Sequence, residues 1–313
     1  MFKYTKKEIN EIARKANFNI NTCEKVLRLS SILDFFQASE ISTFLVLKGG
    51  TAINIFLLDL PRLSVDIDLD FNLPLDRLSM FSYRSKTDSI IKNFMQNEGY
   101  ILSEKSKFVH TLDSYIYSYQ TTSGSMDTIK IEINYSDRVH VLKTITKEST
   151  DILGEKIEIN TLSTDELIGS KINALLVRTT PRDVFDVYSI FKNKQNINTN
   201  LIKKIAIFYV CLGSETSINF QKILLNSLEK IQNLNYQKIK ETLIPVLHKG
   251  IKFDVSDVTT YVFRTIKELF ILDENDTKFI NDFNEKIFSP DILFSGFSIE
   301  DVSKHPMALW KTK

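Results

Sequence analysis

The spacing of apolar and polar positions changes along the chain and marks a mixed α/β region followed by a helical one. Residues 5–39 have the spacing of two amphipathic helices, residues 44–160 contain the short apolar runs of a mixed sheet, and residues 163–285 return to helical stripes. No Pro-, Gly- or Ser-rich linker separates these regions. We therefore expect an α+β fold with a mixed-sheet domain over residues 1–162, closely packed with a mainly helical domain over residues 163–313.

One predicted strand carries a row of carboxylates. If residues 63–71 are extended, Ser64, Asp66, Asp68 and Asp70 share one face, and the apolar residues between them share the other. Asp is a poor strand former, and same-face carboxylates roughly 7 Å apart repel by about 2 kcal/mol at an effective dielectric near 20. A hard divalent cation such as Mg²⁺ would relieve that repulsion. A solvated edge strand that resists aggregation is the alternative that this pattern leaves open.

A glycine pair lies upstream of the carboxylates. Residues 44–47 read as a short buried strand, Gly49 and Gly50 as a turn, and residues 51–58 as the start of an apolar helix. The N–H groups at such a helix start can bind an anion. The glycines match neither G-x-x-x-x-G-K-[ST] nor G-x-G-x-x-G, so neither a P-loop nor a dinucleotide fold is indicated. A glycine pair alone most often makes only a turn.

Two short motifs in this region resemble a known family. The first, KGGTA, is formed by Lys48, Gly49, Gly50, Thr51 and Ala52, and the second, R-x-S-x-D-x-D, by Arg62, Ser64, Asp66 and Asp68. Both resemble the AbiEii-type toxins of bacterial abortive-infection and type IV toxin–antitoxin systems, which are polymerase-beta-like nucleotidyltransferases. The resemblance implies that the aspartate pair binds the metal that carries a nucleoside triphosphate. It also implies a set of nucleotide-binding residues in the two motifs: Lys48, Gly49, Gly50, Thr51, Arg62 and Ser64. The chain has Thr51 where the superfamily often has Ser, and a hydroxyl is still available there.

A second strand pattern carries a further carboxylate. Isoleucines alternate with polar residues over residues 128–134, which predicts a half-buried strand with Glu132 on its polar face. The resemblance implies that Glu132 is a third acidic residue of the site and a metal ligand, and as a base it would accept the proton of an attacking hydroxyl. An exposed strand glutamate paired with Lys130 or Lys143 is the open alternative.

The helical region begins with a lysine in an unusual place. Ser163 and Glu166 have the spacing of a capping box, and the helix that follows has Lys171 and Arg178 near the edge of its apolar stripe. A lysine there must extend to solvent or face a polar cleft. Thr180 followed by Pro181 predicts the start of the next helix.

Two aspartates of that next helix have different explanations. Asp183 lies at the third helical position, where capping explains it, whereas Asp186 lies mid-helix without such a reason. The family resemblance extends to a K-x-x-A-L pattern followed by R-D-x-x-D-x-Y, formed by Lys171, Ala174, Leu175, Arg182, Asp183, Asp186 and Tyr188. It implies that Lys171 contacts the nucleotide phosphates, that Asp183 belongs to the nucleotide site, and that Asp186 is a catalytic residue that helps to hold Lys171. A partly buried lysine needs such a carboxylate partner.

Composition agrees with a soluble cytoplasmic enzyme. The 313 residues are 43% hydrophobic and 25% charged, as in ordinary globular proteins, and the net charge of +1 argues against a strongly basic nucleic-acid protein. No apolar run approaches the roughly 18 residues that span a membrane. Two cysteines do not suggest a disulfide framework, and four scattered histidines lack zinc-site spacing.

The expected activity is nucleotidyl transfer with Mg²⁺ or Mn²⁺ as cofactor. By resemblance, a nucleoside triphosphate would donate its nucleoside monophosphate to the 3′ end of a tRNA, which blocks translation and arrests growth. The helical domain would complete the active site, and an antitoxin of winged-helix type would be encoded nearby. A nucleotidyltransferase acting on a small molecule such as an antibiotic, or a catalytically silent binding protein with the same fold, remain alternatives.

Overall fold

A computed structural model describes residues 2–193, 197–214 and 217–313 of the chain. These residues group into two units. The first comprises Met1–Arg138, Thr144–Thr161 and Val246–Gly250, and the second comprises Val139–Lys143, Leu162–Pro245 and Ile251–Lys313. Each unit therefore takes a short segment from a stretch of chain that otherwise belongs to the other.

The first unit contains the sheet and the helices around it. Its elements are α1 (Lys6–Lys15), α2 (Ile20–Ala38), β1 (Leu45–Lys48), α3 (Gly49–Phe56), β2 (Asp66–Phe71), α4 (Arg77–Asn97), β3 (Ile101–Leu102), β4 (Lys107–Val109), β5 (Leu112–Gln120), β6 (Met126–Asn134), β7 (Ile145–Glu148) and β8 (Glu158–Thr161). The strand order is β3-β5-β6-β2-β1-β8-β7, and β4 pairs with β5. β2 runs parallel to β6 and β1 parallel to β8, while β1 and β2 are antiparallel, so the sheet is mixed as expected.

The two strands at the centre of the predicted site have the expected alternation. In both β2 and β6 one set of alternate residues is buried and apolar, and the other set carries the polar groups. The buried set consists of Ile67, Leu69, Phe71, Ile129, Ile131 and Ile133. Because the side-chain period of a strand is two, this burial fixes the face on which the carboxylates lie.

The second unit is helical over its described residues. Its helices are α5 (Thr164–Arg178), α6 (Pro181–Asn193), α7 (Thr199–Gly213), α8 (Phe220–Gln232), α9 (Tyr236–Thr242), α10 (Val255–Leu269), α11 (Glu274–Asn284), α12 (Pro290–Leu293) and α13 (Pro306–Lys311). α5 and α7 pack closely at Gly169, where an added Cβ would lie 2.5 Å from Ile205 Cγ2. In the part of the chain that the structure describes, no helix combines the length and apolar character needed to cross a membrane.

The predicted capping box at the start of α5 is wrong. Ser163 makes no side-chain capping hydrogen bond, and Glu166 is fully buried. Its carboxylate instead accepts hydrogen bonds from the backbone N–H groups of Val141, at 2.8 Å, and Leu142, at 2.7 Å, and from the Tyr209 hydroxyl, at 2.6 Å. Several donors offset the cost of burying a carboxylate, so this tertiary use of Glu166 outweighs a local cap.

The segment Val246–Gly250 belongs to the first unit through backbone hydrogen bonds. Leu63 N donates to Val246 O at 2.8 Å, and His248 N donates to Pro61 O at 3.1 Å. The segment thereby pairs with the loop that leads into β2, which contains Arg62 and Ser64.

Candidate active site

Three neighbouring strands place charged residues side by side on one face of the sheet. Lys48 at the end of β1 is the register partner of Asp68 in β2, and Asp68 is the register partner of Glu132 in β6. Residues directly opposite each other in paired strands project to the same side, so these side chains form one row across the sheet. Asp66 and Asp70, two residues away along β2, lie on the same face. We call Asp66, Asp68, Asp70 and Glu132 the acidic face.

Gly49 brings the start of α3 against this face. It has a φ of +73°, and a Cβ added to it would lie 2.3 Å from Asp68 Oδ2. Only glycine combines that backbone conformation with so close an approach of a carboxylate. The predicted strand, glycine pair and helix are present, although the two glycines are the first residues of the helix itself. The N–H groups at a helix start lack partners within the helix and point toward whatever lies above it.

Gly50 makes room for two residues of the second motif. A Cβ at this position would lie 2.9 Å from Arg62 Nη2 and 3.1 Å from Ser64 Oγ. The Arg62 side chain is buried, and its Nη1 donates to the carbonyl of Leu63 at 3.1 Å. The buried Arg62 side chain therefore lies against the backbone at Gly50. Direct contact of Arg62 with a nucleotide stays a prediction, as does that of Ser64.

Thr51 is tied to the carboxylate strand. Its hydroxyl donates to the backbone carbonyl of Asp66 at 2.5 Å. The hydroxyl proton is therefore engaged in a hydrogen bond within the protein. The side chain is buried. The hydroxyl expected for phosphate binding thus joins α3 to β2, which leaves the backbone N–H as the group of Thr51 that suits a phosphate.

The charges on the acidic face oppose one another. Burial raises the pKa of the Asp68 carboxyl, and the carboxylates of Asp66 and Glu132 raise it further, while Lys48 and Lys130 act in the opposite direction. Like charges that raise a pKa favour either a proton or a bound cation between them. The face therefore has the electrostatic character expected of a cation site.

Two lysines already neutralise part of the face. Lys130 Nζ lies 2.7 Å from Glu132 Oε2. The ion pair of Glu132 with Lys130, which the sequence left open as an alternative, is therefore present. Lys48 Nζ lies 2.5 Å from Asp70 Oδ1, and Asp70 is buried. Burial alone would lower the pKa of Lys48, but Asp70 and then Asp137 outweigh it and raise the pKa to about 12.

The donor set suits a hard divalent ion held by two carboxylates. Among the described residues, no three His, Cys, Asp or Glu side chains converge into a group that could hold a metal. Mg²⁺ typically takes one or two carboxylates and completes its octahedron with substrate phosphates and water, so Asp66 and Asp68 beside a helix start fit it. Glu132 as a third ligand stays a prediction.

The second unit holds the other predicted residues in a buried ion cluster. Lys171 Nζ lies 3.1 Å from Asp183 Oδ1 and 3.0 Å from Asp186 Oδ2, so the expected pairing with Asp186 is present. Asp183 also accepts from Arg178 Nε at 2.8 Å and from the Thr180 hydroxyl at 2.6 Å. The capping role of Asp183 is thus real, but the same carboxylate also neutralises two cations. Burial alone would raise the pKa of Asp183, yet Lys171 and Arg178 hold it well below its usual range.

Comparison with known families decides the class of this protein. The profile described as "Nucleotidyl transferase AbiEii toxin, Type IV TA system" matches residues 32–265, a range that includes every motif above. The chain belongs to this AbiEii family. The resemblance drawn from KGGTA and R-x-S-x-D-x-D is therefore confirmed, and this AbiEii protein is a transferase of a nucleotidyltransferase toxin family. Membership implies a nucleoside triphosphate substrate and a cognate antitoxin.

One solved structure shows the fold. The AbiEii chain is similar to MenT4, a nucleotidyltransferase toxin from Mycobacterium tuberculosis H37Rv, with a TM-score of 0.65, 12% identity, and coverage of 89% of this chain and 94% of that one. At this identity the likeness shows the fold alone, and it confirms the predicted α+β nucleotidyltransferase fold. JHP933 from Helicobacter pylori also matches, at a TM-score of 0.47 and 19% identity over 84% of this chain and 98% of that one. No curated protein matches the sequence.

Sequence reasoning missed the two carboxylates that pair with Lys48. Asp137 lies after β6 and pairs with Lys48 at 3.9 Å, and Asp70, which the sequence groups with the other aspartates of β2, is buried against the same lysine. No local signal indicates the burial of Asp70, because it alternates with apolar residues just as Asp66 and Asp68 do. No local signal indicates Asp137.

Proposed function

We propose that this protein transfers a nucleoside monophosphate from a nucleoside triphosphate to a hydroxyl at the 3′ end of a tRNA, and that this arrests growth. The observation that carries the proposal is the contact of Gly49 with Asp68, which joins a helix start suited to phosphates to a row of carboxylates suited to a divalent ion. The family supplies the transferase class, and the tRNA acceptor rests on the resemblance.

In our proposal, residues of the first unit have three separate roles in the reaction. The N–H groups at the start of α3, from Gly49 to Thr51, bind the β and γ phosphates. Asp66 and Asp68 hold Mg²⁺ or Mn²⁺, which when bound would stabilise the charge that develops on the phosphate oxygens. Glu132 takes the proton of the attacking hydroxyl.

The chemical step in this proposal conserves atoms and charge. The acceptor hydroxyl oxygen forms a bond to the α-phosphorus, and the bond from that phosphorus to the bridging oxygen of the β phosphate breaks. Pyrophosphate leaves with the electron pair of the broken bond, and the hydroxyl proton goes to the Glu132 carboxylate. The start of α3 stabilises the negative charge on the leaving group.

Lys171 enters the proposal through the family pattern alone. We assign it to neutralisation of the phosphates, with Asp183 and Asp186 fixing its ammonium group in the second unit. Two carboxylates fix the position of this ammonium group, which a phosphate ligand requires.

The test combines transfer and growth. The purified protein is incubated with each α-labelled nucleoside triphosphate and Mg²⁺, either with total tRNA or with a panel of aminoglycosides. We expect label on tRNA, loss of at least about 100-fold in rate for Asp68→Asn, and unchanged rate for the control Asp59→Asn, whose residue is exposed and adopts a φ that asparagine tolerates.

Two results would contradict this function. Label on an aminoglycoside and none on tRNA would replace the toxin activity with small-molecule modification. Equal growth arrest by wild type and Asp68→Asn, expressed in a bacterium without the antitoxin, would remove catalysis from the mechanism and favour a silent binding protein. A winged-helix protein encoded beside the toxin should relieve the arrest by wild type.

A further inference from the structure

The side of the sheet that carries the acidic face continues outward over β5 and β4. Ser114 in β5 is the register partner of Glu132, and Ile116 is the register partner of Lys130. Lys107 in β4 is in turn the register partner of Ser114. Because directly opposite residues of paired strands project to the same side, these side chains extend the row away from β1 and α3. We call Lys107, Ser114, Ile116 and Lys130 the outer strip.

The outer strip differs from the acidic face in charge. Alternate residues of β4, β5 and β6 project to this side of the sheet, and the structure describes every residue of these three strands. Among the residues on this side, Glu132 is the only carboxylate, and Lys107 and Lys130 are the only cations. Both lysine side chains reach solvent, and that of Lys130 is 41% exposed. The strip therefore offers two cations to an anionic ligand beside the acidic face.

The ion pair of Lys130 can be exchanged at small cost. Its Nζ lies 2.7 Å from Glu132 Oε2, two residues along the same strand. Ion pairs between side chains that reach water contribute little to stability, because solvent screens the charges. A phosphate oxygen can therefore take the place of Glu132 as the partner of Lys130. That exchange would also release the carboxylate that takes the hydroxyl proton in the proposed reaction.

The proposed reaction determines the side from which the acceptor arrives. In phosphoryl transfer the attacking and leaving oxygens lie roughly in line, on opposite sides of the phosphorus. The proposed reaction has the β and γ phosphates at the start of α3, which follows β1, and from there the strands run in the order β1, β2, β6, β5. The acceptor hydroxyl must then come from the side of β6, where Glu132 would take its proton and the outer strip begins.

We propose that Lys130 binds a backbone phosphate of the acceptor strand, next to its 3′-terminal nucleotide, and that this strand lies along the outer strip. Lys107 carries the positive charge of the strip further from the reacting hydroxyl. An RNA strand has a phosphate between successive nucleotides, so both lysines can contact the same strand. The inference rests on the proposed function, because it names the residues that bind the acceptor of that reaction.

Kinetics and binding with tRNA test the role of Lys130 in the full-length protein. We expect Lys130→Met to raise the KM for tRNA about fivefold, to leave the KM for the nucleoside triphosphate unchanged, and to keep kcat within about threefold of wild type. The slope of log affinity for tRNA against log salt concentration should become shallower by about 0.7, the value for one phosphate contact to a single strand. Lys130→Arg keeps the charge and should restore both the KM and the slope.

Lys156→Met is the matched control for Lys130→Met. Lys156 also pairs with a strand glutamate, Glu148 of β7, at 2.9 Å, but β7 lies at the opposite edge of the sheet from β3 and β5. We expect this variant to keep the wild-type KM for tRNA and the wild-type salt dependence. A lysine that only stabilises its strand would change the unfolding curve and leave both quantities unaltered.

A pair of variants at Ile116 gives an answer even if Lys130→Met does not fold. Ile116 is partly exposed on β5 beside Lys130, and glutamate and lysine are similarly unfavourable in strands. We expect Ile116→Glu to raise the KM for tRNA and Ile116→Lys to lower it, each about threefold, because the two charges act oppositely on a phosphate. Circular dichroism checks that both variants fold. Equal KM values for tRNA in the two folded variants would overturn the placement of the acceptor strand.

The failure of this inference can be distinguished from the failure of the proposed function. An unchanged KM for tRNA in folded Lys130→Met, a loss confined to kcat, or equal losses in Lys130→Met and Lys156→Met would overturn the role of Lys130 and leave transfer to tRNA intact. Label on an aminoglycoside and none on tRNA, or no label on any acceptor, with wild type would overturn the proposed function and this inference with it.

Discussion

Gly49 is the residue on which the geometry of the acidic face depends most directly. Its positive φ turns the chain from β1 into α3, and its missing side chain lets Asp68 approach. The sequence marks the glycine pair as a turn, but the neighbour that requires the glycine is known only once β2 is paired with β1. Helix start and carboxylate are therefore coupled through one backbone position.

We predict that Gly49→Ala lowers the rate of transfer by about 100-fold while the fold survives. The added Cβ would push the Asp68 carboxylate aside, and a displacement of roughly 1 Å can cost on the order of 100-fold in rate. The strained φ should cost about 1 kcal/mol of stability. Initial rates of label transfer and urea unfolding measure the two effects.

Gly99→Ala is the matched control for this substitution. Gly99 has a φ of +81°, but a Cβ there meets no atom within 4 Å. It should lose a similar amount of stability and keep wild-type transfer. Equal activity of the two alanine variants would show that the approach of Gly49 to Asp68 does not matter for the reaction.

At the scale of elements, helices α5 and α6 are held together by a cluster of side-chain ion pairs. Lys171 comes from α5, Asp183 and Asp186 come from α6, and Arg178 from the end of α5 closes the cluster. The sequence places Lys171 near an apolar stripe and therefore predicts a partner, but it favours only one of the two aspartates. Helix packing brings in both.

We predict that Lys171→Met destabilises the protein by about 3 kcal/mol, because it leaves two buried carboxylates without their shared cation. Unfolding in urea followed by circular dichroism measures the loss. The control Lys222→Met removes an exposed lysine from α8 and should change stability by less than about 0.5 kcal/mol. Similar small losses for both variants would contradict the structural role of the cluster.

Acid should weaken the same cluster. Because the folded-state pKa of Asp183 lies below its ordinary value of 3.8, its ionised form stabilises the protein above that value, and this contribution is lost as the pH falls toward the folded-state pKa. The difference in unfolding free energy between wild type and Asp183→Asn should therefore be largest near neutral pH and shrink below about pH 4.5. A difference that grows on acidification would show that the carboxyl group is protonated in the folded protein.

At the scale of the whole molecule, the chain order and the two units do not coincide. The first unit needs Val246–Gly250, which pairs with the loop before β2, and the second needs Val139–Lys143, whose N–H groups bind Glu166. The sequence-based domains 1–162 and 163–313 include neither of these two segment exchanges. Hydrogen bonds between distant parts of the chain produce them: backbone pairs for Val246–Gly250, and bonds to the Glu166 carboxylate for Val139–Lys143.

A fragment of residues 1–161 should consequently fold poorly. It lacks the carbonyl of Val246 that pairs with Leu63 N and the buried side chains of Val246 and Leu247 beside this loop. We expect faster trypsin digestion and a lower melting temperature than for a fragment that carries residues 243–252 on a flexible linker. Equal protease resistance of the two fragments would show that the returning segment contributes nothing.

Much of the fold and part of the site follow from the sequence. The alternation in β2 and β6 determined which apolar residues are buried, because a strand with one apolar face has one favourable register. Two short motifs pointed to the family. Glu166 shows where local reasoning ends: its spacing from Ser163 satisfies a capping rule, yet distant N–H groups and a tyrosine bind it more strongly.

Residue types and their periodicity thus determined that this chain has a carboxylate strand behind a glycine pair, and which chemistry suits them. Tertiary structure alone decided how the charges are shared: Lys48 with Asp70 and Asp137, Thr51 with the carbonyl of Asp66, and Lys171 with two aspartates. Local patterns record the preference of each side chain for water or for the core. Ion pairs depend on distances of a few ångströms between segments far apart in the chain, and these are set only when strands and helices pack.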